Sequence, residues 1–272
     1  MTAERDDDKF AQLVDAIGPY LDRVVIVGGW AHRLFRNHPL AQAVPYAPLM
    51  TRDTDVAIPT EMRIDEGNLR ERLLARGFTE EFLGDDRPPV THYQLGGDDA
   101  GFYVEFLTPL VGGEFRRDGT RDVTTSVAGV SAQKLRHLDV LLIAPWSVTL
   151  HLAGVSTTLL IANPVSYIVQ KLLISGKRKP AERAKDILYI HDTLELFGRS
   201  SRDLNELWVD RVQPKLGKRI EDKVLRARRQ LFKVVTDVVR EAAIIGAGRT
   251  PSPQALLELC QVGLAQLMDE RA

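Results

Sequence analysis

The segment VVIVGGWAHRLFR, residues 24–36, constrains the fold more than any other. Four consecutive apolar residues, Val24 to Val27, are too few for a buried helix and are bounded by turn residues, which predicts a strand covered on both faces. Gly28-Gly29 ends the run, and Trp30 to Arg36 reads as the opening turns of a helix stopped by Asn37, His38 and Pro39. A strand entering a helix through two glycines leaves backbone N–H groups open at the positive end of a helix dipole, which suits a phosphate oxygen. Gly28 and Gly29 are therefore candidate substrate contacts.

Two acids follow a loop. Asp53 and Asp55 in TRDTDVAI are two residues apart at the start of a strand expected over Thr54–Ile58, so their carboxylates leave the same face. Carboxylates that close repel one another, and a cation between them relieves the repulsion. Arg52, beside Asp53, reads equally well as a phosphate ligand or as a charge that neutralises the acids. In GFYVEFLTP, Glu105 alternates with Val104 and Phe106 and so projects from the face opposite its apolar neighbours. On a strand beside Asp53 and Asp55 it supplies a third acid, and three such carboxylates can hold two Mg2+ ions.

The remaining pattern is β-rich in front and helical behind. A helix is expected over Leu69–Arg76, then strands over Phe78–Leu83, His92–Leu95 and Phe102–Leu107, a polar excursion over 112–129, and strands at Ser147–Leu152 and Thr157–Ile161. Asn163 before Pro164 is a capped helix start, and helices are expected over 164–175, 181–197, 203–209, about 216–243 and 253–269. Strands and helices mix without regular βαβ alternation, which favours α+β over a doubly wound sheet. A division near residue 162 gives a front lobe, 1–162, and a helical lobe, 163–272.

The charge follows the same division. Residues 1–110 hold 11 basic and 19 acidic side chains and residues 111–272 hold 25 and 18, so a net charge of −1 conceals an acidic front and a basic back. Residues 199–233 hold 11 Lys+Arg and five acids, with Lys215, Arg219, Lys223, Arg226 and Lys233 beside Leu216, Ile220, Val224, Leu231 and Val235. A solvated amphipathic helix accounts for this pattern by default, and a face that tracks an RNA backbone is the alternative.

Other chemistries lose ground. No apolar run approaches the ~18–20 residues of a bilayer span, and the acidic start MTAERDDDKF lacks a secretory apolar core, so the expectation is a cytoplasmic protein with no membrane partner. Cys260 has no cysteine partner and reads as a core residue, and the six histidines miss zinc-ligand spacings. VGGWAHR lacks the third glycine of a dinucleotide fingerprint, SGKRKP lacks the glycine of a phosphate loop, and no G-x-S-x-G is present.

A strand ending in Gly-Gly, then Asp-x-Asp, then a lone acid on a later strand resembles the nucleotidyltransferase fold of the DNA polymerase β superfamily. Within it, VEFLTPL, Asn163-Pro164, the KLL at Lys171–Leu173, Arg178 and Lys185-Asp186 fall in an order similar to the bacterial AbiEii-type proteins, over roughly residues 20–195. The resemblance implies a mixed-sheet catalytic lobe with flanking helices followed by an α-helical C-terminal lobe. It implies Asp53 and Asp55 as Mg2+ ligands and Glu105 as the carboxylate that activates the acceptor hydroxyl. Lys171, Arg178 and Lys185 would reach the triphosphate, and Asp186 would orient one of these bases or contact the nucleotide. The implied activity moves a nucleoside monophosphate from an NTP donor to a hydroxyl. A tRNA 3′ end and a toxin role with an antitoxin partner come first. A small-molecule or protein acceptor, and a non-catalytic nucleotide- or RNA-binding module, stand as alternatives. Two features depart from the family pattern: Trp30 follows the glycines where a small or hydroxyl residue is usual, and 23 residues separate Gly29 from Asp53.

Overall fold

A computed structural model describes residues 2–62, 67–96, 101–152, 154–246 and 251–269. The strands are β1 (Val25–Val27), β2 (Asp53–Ala57), β3 (Thr79–Leu83), β4 (Val90–Leu95), β5 (Phe102–Pro109), β6 (Thr124–Val127), β7 (Val130–Leu135), β8 (Trp146–Leu152) and β9 (Val155–Ile161). They form one mixed sheet in the order β3-β4-β5-β2-β1-β9-β8, with β7 also beside β5 and β6 outside β7. Helices α1 (Thr2–Ala16), α2 (Gly28–Leu34) and α3 (Leu69–Ala75) interleave with the first strands. After β9 the chain is helical: α4 (Pro164–Ile174), α5 (Pro180–Leu196), α6 (Ser201–Leu207), α7 (Gln213–Leu216), α8 (Lys218–Leu231), α9 (Asp237–Ile245) and α10 (Pro253–Met268). This is the expected α+β architecture of a mixed sheet with flanking helices and a helical C-terminal region.

The short apolar run becomes the sheet's centre. β1 is buried at all three positions and lies between β2, antiparallel, and β9, parallel. Val25, Val27, Ala57, Leu107 and Ala162 pack there against Leu138 and Leu141, a cluster that keeps water from the middle strands. β2 and β5 run parallel, so residues two apart on each strand emerge side by side on one face.

The sequence reading missed one strand pair. β6 and β7 lie partly inside the stretch expected to be a polar excursion, and they meet at Val127↔Val130 across the two-residue loop Ala128-Gly129. Both loop residues have positive φ, 48° and 84°, as the tight hairpin turn requires. Ala-Gly advertises such a turn far less than Asn-Gly would.

The expected helix over about 216–243 is several elements. Gly217 at φ 67° separates α7 from α8, and α8 ends at Leu231. A new helix then begins under the Thr236 cap, whose side chain accepts from Val239 N–H. Lys215 and Lys233 are therefore not on the same helix as Arg219, Lys223 and Arg226. Asn163 caps α4 as expected, accepting from Ser166 N–H, with Pro164 in the first turn.

Contacts divide the chain into two compact units, Met1–Ala31 with Met50–Ala162, and His32–Leu49 with Asn163–Ala272. Residues 32–49 thus group with the C-terminal helices, not with the front lobe to which the sequence assigns them. The long loop is held on the end of α5: Gln42 N–H donates to Leu196 O at 2.8 Å, Gln42 Nε2 to Glu195 O at 2.7 Å, and Tyr46 OH to Glu195 Oε2 at 2.7 Å. Among the described residues no helix is long and apolar enough to cross a membrane.

Candidate active site

The strand register brings three predicted acids to one face. Asp55 on β2 lies opposite Glu105 on β5, and Asp53 lies opposite Tyr103. Their strand neighbours Thr54, Val104 and Phe106 are fully buried on the other face, while Asp53, Asp55 and Glu105 keep partial access to solvent. The acids share a field that Tyr103 registers: burial first, then the charges of Asp53, Glu105 and Asp55, push its phenol up to about 12.

Glu105 leans toward the far side of β5. His92 on β4 brings Nε2 to 2.6 Å from Glu105 Oε1, and Gln133 on β7 donates through Nε2 to Oε2 at 3.2 Å. Burial raises its carboxyl above the ordinary range, His92 opposes that shift by charge and hydrogen bond, and the Asp53 charge adds to it. The His92 ring stacks on Tyr103 with centroids 4.6 Å apart, while its Nδ1 lies 3.6 Å from Glu81 Oε2. His92, Tyr103, Gln133 and Thr51, which hydrogen-bonds Asp53, were not singled out in the sequence. The alternation of buried Thr91, Tyr93 and Leu95 with half-buried His92 and Gln94 is the signal that could have found the histidine.

Gly28 brings the backbone close to a carboxylate. It has φ 62°, and a Cβ built on it would lie 1.9 Å from Asp55 Oδ2. A Cβ on Gly29 would meet Thr51 Cγ2 at 2.5 Å. Both predicted glycines therefore leave room for the predicted acids and their neighbours. Trp30, the departure from the family pattern, turns into the core, stacked on Phe10 at 4.1 Å and edge-on to Phe102 at 6.0 Å. Arg52 is exposed and forms no ion pair with either acid among the described residues.

The acids fit a hard divalent cation. The donor set is carboxylate oxygen, which Mg2+ prefers, and the absence of a side chain at Gly28 opens the space against Asp55 Oδ2. Among the described residues, however, the one trio of possible ligand atoms within 4.8 Å is His191, Asp192 and Glu195 on α5. The sheet carboxylates are more widely spread, as expected of like charges when one is drawn aside by His92 and Gln133. The α5 trio is engaged internally, with His191 Nδ1 3.0 Å from Asp192 Oδ1 and Glu195 receiving Tyr46 OH.

In the helical unit, Lys171, Arg178, Lys185 and Asp186 also come together. Lys171, 6% exposed, places Nζ 2.5 Å from Asp186 Oδ1 and 4.7 and 4.6 Å from the ring centroids of Tyr167 and Tyr189. Burial holds its ammonium below the usual range, and Asp186 opposes that shift. Arg178 Nε lies 3.3 Å from Asp186 Oδ2, with 41% of the side chain exposed, and Lys185 Nζ sits 5.7 Å from the Tyr189 ring centroid. Lys171 is thus committed to a buried pair, whereas Arg178 and Lys185 keep solvent access. Lys171→Met is expected to destabilise the chain by about 3–5 kcal/mol, because it strips a buried carboxylate of its main partner. Urea unfolding measures this, and a loss below about 1 kcal/mol would mean that Arg178 alone satisfies Asp186.

A family model described as Nucleotidyltransferase matches residues 5–213. The crystal structure of an antigenic nucleotidyltransferase-like protein from Paracoccidioides brasiliensis is similar at 16% identity, over 85% of this chain and 91% of that one, with a TM-score of 0.39. No curated protein matches the chain.

Proposed function

The chain belongs to the nucleotidyltransferase family, and from that premise we propose that it uses Mg2+ held by Asp53 and Asp55, with Glu105 as the third carboxylate, to move a nucleoside monophosphate from an NTP to a hydroxyl at an RNA end. Transfer of a nucleotidyl group is the family's general chemistry. The metal, the residues and the acceptor are our reading, and the parallel register of Asp55 with Glu105 carries it.

Each residue has a distinct task in this reading. Asp53 and Asp55 supply the anionic oxygens, and Thr51 steadies Asp53 by a hydrogen bond. Glu105, raised by burial, is suited to take the proton of the acceptor hydroxyl as it attacks the α-phosphorus and pyrophosphate leaves. His92 and Gln133 hold that carboxylate in one orientation. Bound Mg2+ would supply charge neutralisation for the triphosphate and the leaving pyrophosphate. Gly28 and Gly29 give a phosphate close access to backbone, and the exposed Arg52 is the cation assigned to the triphosphate. Lys171 and Asp186 are assigned to keeping Arg178 in place.

The narrower likeness to AbiEii-type proteins supports a tRNA 3′ end as acceptor and a toxin role with an antitoxin partner. The decisive experiment incubates the protein with each labelled NTP, Mg2+ and total cellular RNA, then separates RNA, protein and small-molecule products. Label in a short RNA is expected. Label in protein or in a small molecule would replace the acceptor, and no transfer from any NTP would favour a module that binds nucleotide or RNA without turnover.

A further inference from the structure

We propose that α8 and the α4–α5 turn form a cleft that binds the phosphate backbone of single-stranded RNA. Arg219, Lys223, Arg226 and Gln230 are spaced i, i+4, i+7 and i+11, which places them in one narrow stripe along α8. All four are exposed. At about 1.5 Å rise per residue the stripe extends some 16 Å, longer than a single phosphate group.

The charge of this stripe is not internally cancelled. The two acids of α8 are occupied elsewhere: Lys218 approaches Glu221 at 3.4 Å and Asp222 at 3.5 Å, and Gln213 donates to Glu221 at 2.8 Å. Arg228, on another side of the helix, pairs with Asp269 at 2.8 Å. Arg219, Lys223 and Arg226 have no ion-pair partner among the described residues. Lys223, Arg226 and Gln230 also edge a cavity of about 380 Å³ whose other walls include Leu172, Gly176 and Arg183, with no acid in the lining. Arg183 is fixed there by donating to the carbonyls of Ser175 at 2.9 Å and Arg178 at 3.1 Å.

These features distinguish among anionic partners. A protein interface is built around an apolar core, and no large apolar side chain of α8 is exposed. A free nucleotide would occupy the cavity and leave Arg219 outside it. A polyanion with regularly spaced charges uses both the stripe and the cavity. The proposal takes RNA as that polyanion from the acceptor reading above.

The test measures anisotropy of a labelled single-stranded RNA of about 12 nucleotides on full-length protein carrying Asp55→Asn, which removes turnover. Arg219→Gln, Lys223→Gln and Arg226→Gln together are expected to weaken binding at least about tenfold and to flatten the log-log salt slope by about two. Arg202→Gln, which removes an exposed arginine paired to Glu206 on α6, is expected to change neither. An unchanged slope in the triple variant overturns the proposal, as does equal loss with Arg202→Gln. Competition by a poly-aspartate peptide at matched charge, or by ATP alone, would equally overturn it in favour of an acidic protein or a mononucleotide. Binding that follows the stripe while wild-type protein labels no RNA would refute the acceptor reading and leave the cleft standing; labelling of RNA without stripe dependence would do the reverse.

Discussion

Asp55→Asn is expected to lower NMP transfer at least about 10³-fold, a loss of roughly 4 kcal/mol of transition-state stabilisation, without loosening the fold. The substitution keeps shape and removes one charge from a face where Asp53, Asp55 and Glu105 already act together on the Tyr103 phenol. Apo protein should therefore melt at the same temperature or slightly higher, because one repulsive partner is gone. Wild-type protein should instead gain thermal stability as Mg2+ is added, by the mass action of a ligand that binds the folded state. The variant should lose most of that gain. Chelation should reproduce the kinetic defect in wild type and add nothing to the variant. Transfer retained by Asp55→Asn, or a Mg2+ stabilisation that survives it, would remove the β2 pair from its assigned role. A drop of many degrees in the apo melting temperature would assign the carboxylate to structure.

The shared face of the three acids is legible because β-strand periodicity is short and strict. Asp53 and Asp55 share a face wherever β2 pairs, and Glu105 alternates with apolar neighbours that must be buried. The partner strand was less readable: parallel register depends on how β1 and β5 both reach β2, and no local residue encodes that. His92 escaped because its role comes from β4 pairing on β5, a tertiary fact, while its sequence neighbourhood lacks any ligand spacing. The family resemblance implies that Lys171 is a nucleotide-facing cation. Its side chain instead closes onto Asp186 between two tyrosines, since α4 and α5 bring residues 15 apart to one buried point. The long segment before Asp53 reads as a loop from its sequence, and only tertiary contacts reveal that Gln42 and Tyr46 tie it to the end of α5. Helix limits erred where a single glycine or a cap interrupts an apolar period, as at Gly217 and Thr236.

Gly28→Ala should be nearly as damaging as the loss of a carboxylate, although it adds only a methyl group. At φ 62° an alanine pays about 1–3 kcal/mol in backbone strain. Its Cβ would sit 1.9 Å from Asp55 Oδ2 and 3.0 Å from Asp55 Cγ, so the carboxylate must move by more than an ångström. Displacement on that scale costs about 10²-fold in rate for an oriented group. Gly29→Ala separates the two contributions. Its backbone is not in the left-handed region, and its Cβ would press on Thr51, displacing the hydroxyl that bonds Asp53 but leaving Asp55 alone. A smaller loss of transfer is expected there, relieved only in part by Thr51→Ala in stability, since the Thr51 Cβ stays 2.8 Å from the added methyl, and not in rate. Because Gly28 acts through Asp55, the Gly28→Ala defect should vanish in an Asp55→Asn background, where no positioned carboxylate remains to be displaced. Equal defects from the two alanine variants, or additive defects in the double variant, would mean that the glycine serves the strand-to-helix turn and not the carboxylate beside it.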